Sequence, residues 1–244
     1  MLKFALMQRF WDFRKNEGTA VQWFRYEHGQ KKHVMAFDAD GEMVMHLISG
    51  TAADEAAEKP HNEAVTLNFD AAYTLVPDVF QDADYPGLSE PMQKIPVEGG
   101  FVVMCAEGPS IPAALPLFRL AFEAAKTTPY FALVHVHAQQ ITVAAFSEQK
   151  PLLLNTFPAG NEAEALYFAL APFKRAGISS TDIALSVLSD ATVLPGLLQQ
   201  FGRFVPQVNP FRFSLPYPMD QYPPHADISL LLFTLSQCGL PAAP

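Results

Sequence analysis

The apolar and polar positions of the second half of the chain follow a readable order. Tyr130-Phe-Ala-Leu-Val-His-Val-His137 is an apolar run that ends in alternation, Ile141–Phe146 follows a short polar turn, and Leu152–Phe157 follows another. Runs of this length and composition predict three consecutive strands. Leu166, Phe168, Leu170 and Phe173 then recur at helical spacing, so a helix is predicted around 162–176, with Asn161 as N-cap, Glu162 and Glu164 in its first turn, Gly177 as its stop and Pro172 as a kink. A strand at Ile183–Leu188, a helix capped by Asp190 or Thr192 and ending near Gly202, an irregular Pro- and aromatic-rich stretch over 205–224, and a last helix over 227–238 complete the half.

The first half reads as richer in strands. Strands are predicted over 20–27, at His33–Phe37 and at Met43–Ile48, the last two joined by a hairpin turn at Asp38-Ala-Asp-Gly-Glu42. A short helix over 51–59, strands over 64–69 and 72–76, a helical turn at Asp78–Phe80, a Pro-containing loop over 82–95 and a strand at Phe101–Cys105 follow. Leu115, Phe118, Ala121, Phe122 and Ala125 are spaced for a helix over 111–126, with Pro116 bending it or marking its true start. Thr127-Thr128-Pro129 breaks that helix, which places a boundary between residues 1–127 and 128–244.

Specific segments carry a family resemblance. Pro151-Leu-Leu-Leu-Asn-Thr-Phe157, Ala163-Glu-Ala-Leu-Tyr-Phe168, Leu188-Ser-Asp190, and Ala72-Tyr-Thr-Leu-Val-Pro77 with Phe80 after it resemble a family of uncharacterised Bacteroidetes proteins with an actin-like ATPase fold. The resemblance implies an α/β, two-lobed fold: a duplicated ribonuclease H-like domain, one lobe in 1–127 and one in 128–244, with a cleft between them. In ATPases of this fold a hairpin turn of the form Asp-x-Gly in each lobe holds phosphate, because glycine lets backbone amides approach and the Asp positions metal or water. In the second lobe His135-Val136-His137 occupies the matching place, and Ser189-Asp190 stands where the nucleotide fold carries Gly-Gly after the fourth strand. Both departures argue against ATP hydrolysis.

Composition narrows the functional classes. A formal net charge of −9 disfavours nucleic acid, whose phosphates demand clustered Lys and Arg. No run of eighteen apolar residues and no secretory leader is read, so a cytoplasmic protein without a membrane span is expected. Cys105 and Cys238 lack metal-ligand spacing, so no metal site is expected.

Asp38 and Asp40 resemble the paired Asp of haloacid dehalogenase-type phosphatases, but a late acidic pair is missing and a hairpin turn explains them as well. His135 and His137, two apart on a strand, share one face; they could act on a proton or metal, yet no carboxylate lies near them in sequence. Cleft candidates are therefore Asp38, Asp40, His135, His137 and Asp190, with no catalytic residue assigned. No cofactor is expected, Mg²⁺–ATP being the alternative. The function expected is non-catalytic protein–protein interaction or homodimerisation, through the Pro- and aromatic-rich residues 204–224. The alternatives are an atypical nucleotide-binding protein or weak ATPase, and a phosphatase-like hydrolase built on Asp38 and Asp40.

Overall fold

A computed structural model describes residues 22–28, 31–37, 43–49, 64–80, 85, 88, 92–105, 110–215 and 225–238. Two five-stranded sheets with the same strand order dominate it. The first contains β1 (Gln22–His28), β2 (Lys31–Phe37), β3 (Met43–Ser49), β4 (Val65–Asn68) and β8 (Ser110–Pro112) in the order β3-β2-β1-β4-β8. The second contains β9 (Tyr130–His137), β10 (Gln140–Ser147), β11 (Lys150–Pro158), β12 (Ala184–Ser189) and β13 (Gln207–Pro210) in the order β11-β10-β9-β12-β13. In both, the first three strands are antiparallel neighbours and the last two run parallel to the first. Between β4 and β8 the chain inserts a three-stranded antiparallel sheet of β5 (Tyr73–Pro77), β6 (Met92–Val97) and β7 (Gly100–Cys105), with a 3₁₀ turn at Asp78–Phe80.

The helices divide by sequence character. α1 (Ala114–Ala125) and α4 (Ala226–Ser236) are apolar nearly all round, the mark of a helix buried on several sides. They pack on each other; α1 covers β9 and β10 of the second sheet, and α4 covers β1 and β2 of the first. α2 (Glu162–Arg175) and α3 (Leu194–Phe201) bury only a stripe, α2 against β9, β10 and β11 and α3 against β12 and β13, and they pack on each other.

The apolar run of β9 follows from this layering, since it is covered on both faces. Phe131 and Leu133 join the large core around α1 and α4, whereas Ala132 and Val134 join the separate core beneath α2 and α3. Asn161 caps α2 as its sequence predicts: its side chain accepts from the Glu164 amide at 3.0 Å, and Glu164 in turn takes the Gly160 amide at 2.8 Å.

Three strands depart from the sequence expectation. β6 begins inside the stretch read as a loop over 82–95 and runs two residues past it, β8 stands where the helix over 111–126 was to start, and β13 lies within the stretch read as irregular. The turn between β9 and β10 also lies further on: His135 to His137 are the end of β9, and Ala138-Gln139 make the turn, Ala138 at φ 52°. The Asp38–Glu42 turn, the helix expected over 51–59 and residues 216–224 lie outside the described residues.

Candidate functional site

On the inner face of the second sheet, apolar residues give way to polar ones toward the end of β9. Phe131 and Leu133 are followed by His135 and His137; His135 pairs across with Thr142 on β10, and Thr142 with Thr156 on β11. The Thr142 and Thr156 hydroxyls are 2.9 Å apart, and the Tyr73 hydroxyl of the inserted sheet reaches Thr156 at 2.9 Å. Burial drives the Tyr73 phenol well above the usual tyrosine value despite the Thr156 bond that lowers it, so it stays protonated. The first sheet presents a matching polar level, where buried Tyr26 on β1 pairs with buried His33 on β2. The start of α4 adds His225 and Asp227.

These levels meet between the sheets. His135 Nε2 lies 3.1 Å from Asp227 Oδ2, with both side chains at most 2 % exposed. Burial alone would raise the Asp227 carboxyl, but the hydrogen bond from His135, the electrostatic pull of that ring and the Ile228 amide outweigh it and hold it below the usual value. The carboxylate therefore accepts from His135.

The Tyr26 hydroxyl meets His137 Nε2 at 2.5 Å. Burial raises the Tyr26 phenol above its ordinary value, and the Asp227 and Asp70 charges raise it further, so Tyr26 is the donor and His137 the acceptor. Phe69, at the end of β4, stacks on His137 at 4.4 Å between ring centres and stands edge-on to Tyr26 at 5.3 Å. His225 Nδ1 pairs with Asp190 Oδ2 at 2.6 Å, and the His225 ring stands edge-on to His33 at 5.9 Å.

A groove of about 660 Å³ adjoins this cluster and runs between the lobes, lined by Phe69, Asp70, Tyr73, Gln140, Asn155 and Thr156 among others. Gln140 Nε2 donates to Asp70 Oδ1 at 2.7 Å across it.

Of the sequence candidates, His135 and His137 lie in this cluster and Asp190 lies at its edge, bound to His225. Asp38 and Asp40 lie outside the described residues. Sequence reasoning missed Tyr26, Phe69, Asp227, His33 and His225. Asp227 is 92 residues from His135 and Tyr26 is 111 from His137, so no local spacing pairs them. The signal available was the polar His225-Ala-Asp227 at the head of an otherwise apolar helix.

Residues 204–215 of the proposed binding stretch alternate between exposed positions and a few that fold onto the molecule itself. Phe211 and Phe213 pack against the large core and Leu215 is buried, whereas Phe204 is 55 % exposed.

Residues 111–208 match a family model described as a protein of unknown function (DUF3822). No curated protein matches the chain. In structure the chain is similar to a Bacteroides thetaiotaomicron VPI-5482 protein with an actin-like ATPase fold and unknown function, at TM-score 0.61 and 11% identity over 87% of this chain and 95% of that one. It is also similar to a chain of the PilM–PilN type IV pilus biogenesis complex, at TM-score 0.52 and 14% identity over 88% and 98% of the two chains. The fold is thus that of actin-like ATPases, as the sequence motifs implied, and the resemblance to an uncharacterised family with that fold holds.

Proposed function

We propose that this chain is a non-catalytic protein of the actin-like fold that acts by binding another protein, in the cytoplasm, and does not hydrolyse nucleotide. The observation that carries this is the contact of Tyr26 on β1 with His137 on β9, backed by the stacked ring of Phe69. These are the leading strands of the two sheets, and ATPases of this fold hold phosphate at the hairpins that follow them. Here His137, at the strand end that leads into the second hairpin, is engaged by Tyr26 and Phe69 from the first lobe. The turn itself offers Ala138-Gln139 in place of a glycine and an aspartate.

Protein binding on this fold has a precedent in the PilM–PilN complex. The exposed apolar residues that suit it are Phe204, Val79 at 82 % exposure and Phe80 at 58 %. Residues 204–224 remain the proposed contact, with Phe204 as its anchor. With only two cysteines, far apart in sequence, the chain suits a reducing compartment.

Thermal unfolding with Mg²⁺ and ATP, ADP or GTP tests the reading. The midpoint is expected to stay unchanged, since a ligand that does not bind the native state cannot stabilise it. A nucleotide-dependent rise would overturn it in favour of the atypical nucleotide-binding alternative. Capture of partners from the native host by the wild type and by Phe204→Glu tests the contact: a partner lost in the variant supports it, and a partner held equally by both removes Phe204 from the interface.

A further inference from the structure

We propose that His135, His137 and Asp227 form a binding site for a divalent transition-metal ion of the zinc class, which fastens the two lobes together. One ligand atom from each of the three lies within 4.8 Å of the others. Two imidazoles and one carboxylate are a donor set suited to zinc and its neighbours in the first transition row, and three protein ligands leave a fourth position to water.

The geometry needs little adjustment. Zinc bonds of about 2.0–2.2 Å put tetrahedral ligand atoms roughly 3.3–3.5 Å apart. His135 Nε2 and Asp227 Oδ2 already stand at 3.1 Å. His137 is the half-buried member, so its ring is the one with room to close the remaining gap. The ion takes the Nε2 position from which His135 donates to Asp227, and the neutral imidazole carries its single proton on Nδ1 instead. At His137 the lone pair of Nε2 that accepts from Tyr26 is turned to the ion, and Tyr26 moves to the water or to a neighbouring acceptor.

A second observation points the same way. Asp227 Oδ1 is buried and meets no donor at full bonding geometry among the described residues, although the Ile228 amide helps to hold the carboxylate charged. A buried carboxylate oxygen without a donor is costly, and a cation at the site satisfies it. Asp190, whose charge is felt at this position, and Asp70 beside Tyr26 offset the excess positive charge of an ion bound by one carboxylate.

The ligands come from two layers. His135 and His137 belong to the second sheet, and Asp227 to the helix that covers the first, so the ion would join elements far apart in the chain and stabilise the native state alone.

The test uses the whole chain, stripped with a chelator and titrated with Zn²⁺ by calorimetry. The expected result is one ion per chain, a raised thermal midpoint, and with Co²⁺ the intense visible absorption of a four-coordinate site. His137→Ala, at a half-buried position, is expected to weaken binding by about 100-fold or more and to abolish the thermal gain. Asp227→Asn should do the same; if it fails to fold, His137→Ala carries the test alone. Absence of saturable binding to the wild type would overturn the proposal, as would binding that survives His137→Ala unchanged, which would place the ion at other histidines. The nucleotide experiment is independent of this one, so either reading can fail without the other.

Discussion

Gly100, the first residue of β7, has no space for a side chain: a Cβ there would lie 2.1 Å from the Val76 carbonyl oxygen across the β5–β7 pairing. Backbone cannot yield as a flexible side chain can, so Gly100→Ala must push β5 away from β7. A loss of about 1–3 kcal/mol is expected in urea unfolding. Asp190 matters in another way. Its Oδ1 takes the Thr192 amide at 2.8 Å and the Thr192 hydroxyl at 2.7 Å just ahead of α3, while Oδ2 holds His225. Burial raises its carboxyl and the two Thr192 bonds and His225 lower it, Asp227 opposing, with a net position below the usual 3.8. A carboxyl lowered on folding stabilises the native state above its unfolded value and loses that contribution as pH falls through the folded one. Asp190→Ala, which removes hydrogen bonds to a charged carboxylate, is therefore expected to cost about 1.5–3 kcal/mol at pH 7, and the gap between variant and wild type should shrink once the pH drops below 3.8. Denaturant melts at several pH values check this. At this scale the sequence showed half of the cluster. The i, i+2 spacing put His135 and His137 on one face, but it had no means to supply Asp227 or Tyr26, which reach them through the fold alone.

Elements were legible where their apolar pattern was long. β9, β10, α2 and α4, which each bury several side chains, follow the expected spans within a few residues, and so does β11, whose apolar run buries Leu154 and half-buries its neighbours. The strands that escaped are β6, β8 and β13. All three lie at the edge of their sheets and each contains a proline: Pro96, Pro112 and Pro210. An edge strand tolerates proline, because one side of its backbone has no strand to bond, and the same proline reads as a loop in a single sequence. The buried helices illustrate the opposite case. α1 shows helical spacing plainly, but its spacing cannot say which sheet it will cover.

That choice decides how the molecule holds together. α1 is attached to the first sheet by β8 and yet lies on the second, with Phe118 against Phe146 at 5.1 Å; α4 follows the second sheet and lies on the first, with Phe233 beside Phe37 at 5.9 Å. The proposed division at 127/128 passes between α1 and β9, so each part carries the cover of the other. Residues 128–244 made alone would leave the β9–β10 face bare where α1 belongs. They are expected to be insoluble or to bind a hydrophobic dye, and co-expression with residues 1–127 should restore a well-packed protein. A soluble, cooperatively melting fragment would show that α1 is dispensable. By the same reasoning, the intact chain should unfold in one transition when followed by probes in either sheet.

The crossed helices also order events during synthesis. β1 and β2 leave the ribosome early, but the helix that shields their inner face begins only at Ala226. At roughly 5–20 residues per second the stretch from β3 to α4 takes on the order of 10–40 s to translate. Throughout that interval Phe24, Met35 and Phe37, each buried in the finished protein, lack their cover, and the nascent chain is a client for whatever holds apolar surface in the cell until its last helix arrives.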